Sequence, residues 1–310
     1  MNLQPDKVFG SLLGLVLGDA IGSRFEGLRP EQLHESYRDK WAAFDYSMRR
    51  DSLRYTDDGQ MALVIAEYLS ENSHIDPNDL MRCFVQSYEP WRGYGRGARV
   101  IIEAFRDDAD YEFVAEHLFP GGSLGNGAAM RSAPVGLRFA DDQVRIWEQA
   151  KYSAWPTHRH ELGIEGAQLI ALATDFAVTN ANVTPSSLAA YLLPFCQTTV
   201  FQNRLDRLAK VKAESDIAQF GNGIEVHESV VTALACFAFN PSDFREAIAT
   251  AIWLGGDTDT IAAMTGALVG AHVGSEFAES LQLSQLEEGA EFLAYLRSVS
   301  NRLAGAINGI

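Results

Sequence analysis

Apolar residues along this 310-residue chain recur three and four positions apart. The pattern runs through Met61–Leu69, Val100–Phe105, Leu162–Phe176, Leu188–Phe195, Val230–Phe239, Ile261–Val273 and Phe292–Ile307. Such spacing puts one apolar stripe on a helix, whereas a half-buried strand would alternate. Strictly alternating runs rich in β-branched residues are missing. Between the runs stand the residues of turns and helix ends, as in Asn72–Pro77, Pro120–Gly127, Asn180–Pro185 and Asn240–Asp243. Ser242 or Asp243 before Phe244, and Thr184 before Pro185, predict N-caps. The helical pattern resumes at Ala128, and the polar stretch Arg204–Ser215 reads as an exposed helix. The chain is therefore expected to be all-α, a compact bundle of many helices. No linker, low-complexity tract or repeat period divides it, so residues 1–310 are expected to form one domain.

Glycines refine this picture. Gly10, Gly14 and Gly18 are four apart, as are Gly266 and Gly270, so each set shares one helix face. Glycine inside a helix costs about 1 kcal/mol relative to alanine. Repeated use of it predicts two central helices whose backbones approach closely. The apolar stretch Val8–Leu17 behind Lys7 mimics a signal-peptide core, but it is too short to span a bilayer and Asp19 follows at once. A buried helix is expected there, and with it a cytoplasmic protein that does not engage a membrane. Cys83, Cys196 and Cys236 lie far apart in apolar contexts, as buried thiols of a reducing compartment would.

Composition adds little beyond charge. Apolar residues make up 47% and charged residues 21%, an ordinary globular balance. The net charge of −16, with no basic patch, argues against nucleic acid as a partner. Most of that acidity serves solubility, but a few carboxylates stand in two recurring settings. Tyr55-Thr56-Asp57-Asp58-Gly59-Gln60 opens the helix that runs to Leu69, and Gly255-Gly256-Asp257-Thr258-Asp259-Thr260 opens the one from Ile261. An N-cap needs only one side-chain oxygen. Two motifs with paired carboxylates exceed that need. Converging carboxylates repel or protonate unless a cation neutralises them, and oxygen-only donors suit Mg2+ or Mn2+ rather than zinc. Four aspartates are enough for two such ions.

Two glycine loops accompany them. Gly121-Gly122-Ser123-Leu124-Gly125-Asn126-Gly127 has the density of backbone N–H groups that anion-binding nests use. Gly93-Tyr94-Gly95-Arg96-Gly97 follows no strand, so it is no dinucleotide fingerprint. In Thr157-His158-Arg159-His160 the histidines are two apart, a spacing that on a helix would send them to different faces; one is expected to line a pocket.

Taken in this order the segments resemble the ADP-ribosylglycohydrolase family. The likeness begins with Gly10–Gly14 and Gly18-Asp19-Ala20-Ile21-Gly22. It continues through Thr56-Asp57-Asp58, Gly93–Gly97, Gly125–Arg131, Thr157-His158 and Glu228-Ser229, and ends in Gly255–Thr260. The resemblance implies an orthogonal helix bundle with a cleft holding two divalent cations, Mg2+ or Mn2+, and hydrolysis of the bond between ADP-ribose and an acceptor. It implies Thr56, Asp57, Asp58, Asp257, Asp259 and Thr260 as metal ligands, and Glu26 and Asp58 as the proton-transferring carboxylates. Gly95, Gly97, Ser123, Gly125, Asn126, Gly127 and His158 fall where the family binds diphosphate and ribose. The substrate would be an ADP-ribosylated protein or small molecule. Three positions depart from the family: Gly59 stands for a common threonine, Leu124 for an aromatic, and Trp253 for a smaller residue, which is expected to narrow the pocket rim. A catalytically silent ADP-ribose binder and a two-metal phosphohydrolase acting on the diphosphate are the alternatives.

Overall fold

The three-and-four spacing is realised as helix along nearly the whole chain. The computed structural model describes residues 3–49 and 52–308. Among these residues it forms α-helices joined by short turns and 3-10 segments, with only two isolated bridges, Leu53 to Leu286 and Gly125 to Glu225. Asp243 and Thr184 cap their helices as the sequence predicts, accepting from the N–H groups of Glu246 and Ser187 at 3.0 Å each. One contiguous apolar cluster extends from Leu3 to Ala304. The helix Glu161–Thr179 is long and apolar enough to cross a membrane, but 83% of its apolar window is buried inside the protein, where it serves the core.

The helices Pro5–Gly22 and Thr258–Val273 form the centre, and glycine decides how they meet. A Cβ on Gly14 would fall inside the Gly266 carbonyl, one on Gly18 inside that of Ala262, and one on Gly22 against Thr258 and Asp259. Gly10 meets Gly270 and Gly274 in the same way. Steps of four along one helix are matched by steps of four the opposite way along the other, so the pair is antiparallel and in backbone contact. Ser11 Oγ donates to Ala267 O at 2.9 Å, and Thr258 Oγ1 to Gly22 O at 2.9 Å, fixing the register. The seam therefore ends with the last turn of the first helix beside the first turn of its partner.

Two expectations need correction. The helix after the glycine loop begins at Ala133, not Ala128. Residues 127–132 form tight turns in which Asn126 O accepts from the N–H groups of Ala129 and Met130. The Gly127 carbonyl, which a helix would give to a backbone N–H, accepts instead from the buried Arg131 guanidinium at 3.0 Å. The polar stretch 204–215 is only partly helical: one helix, Thr199–Leu208, ends inside it, and a 3-10 segment, Glu214–Phe220, begins at its far end. Arg204 and Arg207 fold this return by donating to the carbonyls of Phe220 and Gln219.

Candidate active site

The helix Asp57–Glu71 starts against the end of the glycine seam, and its start is built unusually. Thr56 is the N-cap, with Oγ1 accepting from Asp58 N–H at 3.3 Å. A second acceptor comes from the first helix: Asp19 Oδ2 takes the N–H groups of Thr56 and Gly59, both at 2.8 Å. Because Asp19 serves these orphan donors, Asp57 and Asp58 are free of capping. Arg92 braces the approach. It donates to Tyr55 O at 2.8 Å and to Glu287 at 2.5 Å, with its guanidinium 3.8 Å from the Tyr55 ring centroid.

At the start of Thr258–Val273, Gly255 and Gly256 adopt left-handed φ of 68° and 76°, a conformation glycine tolerates without strain. Gly256 pairs with the loop after the first helix, donating to Leu28 O and accepting from Gly27 N–H, both at 2.8 Å. Asp257 N–H donates to Asn222 O at 2.8 Å. These bonds hold Glu26 beside Asp257 and Asp259, and one carboxylate oxygen from each of the three lies within 4.8 Å of the others.

Five carboxylates thus share one floor. Burial is the main cause that raises the pKa of every one of them. Asp57 is pushed up to about 7 by burial, with the charges of Glu26 and Asp257 adding to it. Asp58 and Asp259 stand well above the ordinary carboxylate range, from burial and then from neighbouring aspartates. Asp19 beneath them is also raised to about 7 by burial. Asp58 Oδ2 and Asp19 Oδ1 are buried with no hydrogen-bond partner. Unpartnered anionic oxygens and an all-oxygen donor set fit hard divalent cations.

The floor opens into a cleft of about 400 Å3. Every residue expected as a metal ligand, proton carrier or ligand-binding group lines it: Glu26, Thr56, Asp57, Asp58, Gly95, Gly97, Ser123, Gly125, Asn126, Gly127, His158, Asp257, Asp259 and Thr260. The glycine loop is sewn to the far wall by Asn126 N–H to Ile224 O and Val226 N–H to Leu124 O, at 3.1 and 3.0 Å. Asn126 turns its side-chain amide inward, donating to Ser229 Oγ at 3.1 Å and to Asp257 Oδ2. Glu228 accepts from Gly223 N–H at 3.0 Å and shapes the adjoining turn.

A buried relay orients His158. Arg131 Nη2 donates to Thr157 Oγ1 at 2.9 Å, and that hydroxyl pairs with His158 Nδ1 at 2.8 Å. Its Nε2 lies beside Gly125 and Gly127. Burial and the Arg131 charge lower the imidazole to about 3, so it stays neutral at physiological pH. His160 instead caps the next helix through Nδ1, so the two histidines part company.

Sequence reasoning passed over two residues here. Asp19 was visible as a carboxylate in an otherwise apolar helix; Arg92 gave no signal. Trp253 also requires correction. It lies outside the cleft, packed at a tilt on His34 with ring centroids 4.3 Å apart, and lines a separate cavity of about 490 Å3 with Pro30, Asn222 and Leu254. The chain reversal at Gly255 and Gly256 turns it away from Asp257.

The chain is similar to known proteins along most of its length. The family model for ADP-ribosylglycohydrolase matches residues 1–309. ADP-ribosylhydrolase ARH3 of Xenopus tropicalis is 34% identical over 321 residues, covering 86% of this chain and 87% of that protein. The human protein of the same name is 32% identical, covering 86% and 85%. The uncharacterized protein YegU of Escherichia coli strain K12 is 28% identical, covering 87% and 88%. A solved structure titled ADP-ribosylglycohydrolase-related protein complex superposes with a TM-score of 0.75 over 99% of both chains at 24% identity, which shows the shared fold.

Proposed function

The chain belongs to the ADP-ribosylglycohydrolase family, and from that premise we propose that its cleft hydrolyses the bond joining ADP-ribose to an acceptor with two divalent cations, Mg2+ or Mn2+, among its carboxylates. The observation that carries this is the floor, where Glu26, Asp57, Asp58, Asp257 and Asp259 gather and Asp58 keeps a buried oxygen without a partner. Such a set is stable only when protonated or when it surrounds positive charge. Thr56, Asp57, Asp58, Asp257, Asp259 and Thr260 would hold the ions. When bound, they would supply Lewis acidity toward the ribose hydroxyls and water.

The chain's own groups divide the remaining work. Asn126 fixes the Asp257 carboxylate through its amide. Glu26 is the one exposed carboxylate of the five, and on this reading it serves the departing acceptor. Burial and the Asp257 charge raise its pKa, the direction that suits a group delivering a proton to that leaving group. Asp58, at the base, offers its unpartnered oxygen to a proton from the attacking side. His158 Nε2 and the remaining polar groups of the Ser123–Gly127 loop, whose Gly125 and Asn126 amides are given to Ser123 Oγ and Ile224 O, bind diphosphate and ribose. Met61, Phe119 and Met130 in the wall keep the reacting bond from bulk water.

Product analysis tests the reading. Peptides ADP-ribosylated on arginine or serine, and a small-molecule adduct, are incubated with the protein and Mg2+. Free ADP-ribose is expected from at least one of them, and its release should stop after chelation. Release of AMP would instead mean cleavage of the diphosphate. Full turnover by chelator-treated protein would remove the cations from the mechanism.

A further inference from the structure

The cleft wall is anionic at one end and nearly devoid of accessible cations elsewhere. Arg131 is fully buried, and its guanidinium donates to Gly127 O, Ser153 O and Thr157 Oγ1. His158 is neutral for the reason given above. Arg96 is different. It lines the cleft, is exposed, and among the described residues engages no carboxylate or carbonyl. On a chain with 41 acidic and 25 basic residues, an arginine beside a pocket and without an acidic partner is a charge left for something else.

Its place along the wall says what. Gly93 lies at the acidic end, where an added Cβ would sit 3.8 Å from Asp57 Oδ1. Gly97 lies against the Phe119 ring. Arg96 is therefore carried past the carboxylates toward the wall that Phe119 shares with Ser123 and Gly125. It is also the first residue of the helix Arg96–Arg106, whose N-cap, Gly95, supplies no side-chain oxygen. The backbone N–H groups of that first turn add positive potential to the guanidinium. A ligand with an uncharged sugar at one end and a dianionic linker further along fits this wall with its sugar toward the carboxylates and its linker toward Arg96.

Resting on the ADP-ribose reading above, we propose that Arg96 is a specificity-determining residue whose guanidinium pairs with the diphosphate of the ligand and selects diphosphate-bridged ribosides over phosphate-free ones. Arginine suits this role because its planar fork can meet two phosphate oxygens at once.

The experiment compares wild type, Arg96→Gln and Arg96→Lys. It measures ADP-ribose binding by calorimetry at two salt concentrations, adenosine binding as the phosphate-free control, and kcat and KM on an ADP-ribosylated peptide. Arg96→Gln should weaken ADP-ribose binding roughly tenfold, the loss of one charged hydrogen-bonding group. It should raise KM by a similar factor while moving kcat less than twofold, and flatten the salt dependence. Arg96→Lys should recover the salt dependence and part of the affinity, since it restores the charge without the fork, and adenosine binding should be equal in all three. Unchanged ADP-ribose affinity and salt dependence in Arg96→Gln would overturn the assignment and leave the ADP-ribose reading intact. A loss that lysine does not restore, with a lowered melting temperature, would overturn it in favour of a structural role. Wild-type protein that fails to bind ADP-ribose would overturn the reading and this assignment together.

Discussion

The helix Thr258–Val273 carries two opposite solutions to burial. Along its body Ala262, Gly266 and Gly270 meet the first helix backbone to backbone, and the groups buried there find their partners within the protein. At its first turn Asp257 and Asp259 are as deeply placed, yet they face three more carboxylates and a neighbouring buried oxygen with no partner. The seam is complete by itself, whereas the floor relies on protonation or on added positive charge. The difference shows how the fold holds a destabilising cluster: a dry, over-determined contact anchors the very helix end on which repulsion is concentrated.

Breaking the seam should have the largest effect. Gly14→Ala has no space to form, because the Gly266 carbonyl occupies the Cβ position. We expect a loss of about 3 kcal/mol or more, a fall in melting temperature on the order of 10 °C, or no folded protein. Gly305→Ala is the matched control, since nothing lies within 4 Å of that glycine in the last helix. It should be neutral or stabilising by up to about 1 kcal/mol. Equal behaviour of the two variants in thermal melts would show that the close approach is not what the glycines provide.

Changing the floor should leave the fold and remove the chemistry. Asp259→Asn retains an oxygen able to accept from Thr260 N–H, as Asp259 Oδ1 does at 2.9 Å, but it takes one charge out of the cluster. Hydrolysis and divalent-ion binding should fall by on the order of a hundredfold or more, beyond what removal of an outer partner costs. The metal-free variant should melt no lower than wild type, because a repelling carboxylate has gone. Wild-type turnover would return these aspartates to helix capping.

The smallest effect is a pH dependence of stability. Asp19 and Asp57 are raised in the folded chain from 3.8 to about 7, chiefly by burial. Between those values the folded state binds more protons than the unfolded state, so stability falls as pH rises. Metal-free protein should therefore melt a few degrees higher at pH 5.5 than at pH 7.5. Added Mg2+ should raise the melting temperature more at pH 7.5, where the floor is charged. A melting temperature that climbs with pH in chelator-treated protein would mean that the carboxylates are relieved by contacts other than ions.

Much of this was legible from local spacing. The three-and-four periodicity marked the helices, Thr56 and Asp257 marked two helix starts, and glycines four apart marked the seam. Each is a statement about residues within one or two turns, where backbone geometry links sequence position to direction. Local reasoning failed where a side chain took over a backbone bond or the chain turned back on itself. Arg131 claimed the Gly127 carbonyl and postponed the next helix to Ala133. A chain reversal at Gly255 and Gly256 sent Trp253 to a different cavity.

By itself, then, the sequence determined an all-helical chain, the places where carboxylates open helices, and the family those places resemble. Only the tertiary structure decided that Asp19 would serve the backbone donors at Thr56 and Gly59, and that Glu26 would stand beside Asp257 and Asp259. It also decided that one arginine in the cleft wall would be left without a partner. The physical reason is distance along the chain. About two hundred residues separate the two helix starts, and what brings them together is the antiparallel register of the glycine seam, which no periodicity within either helix encodes.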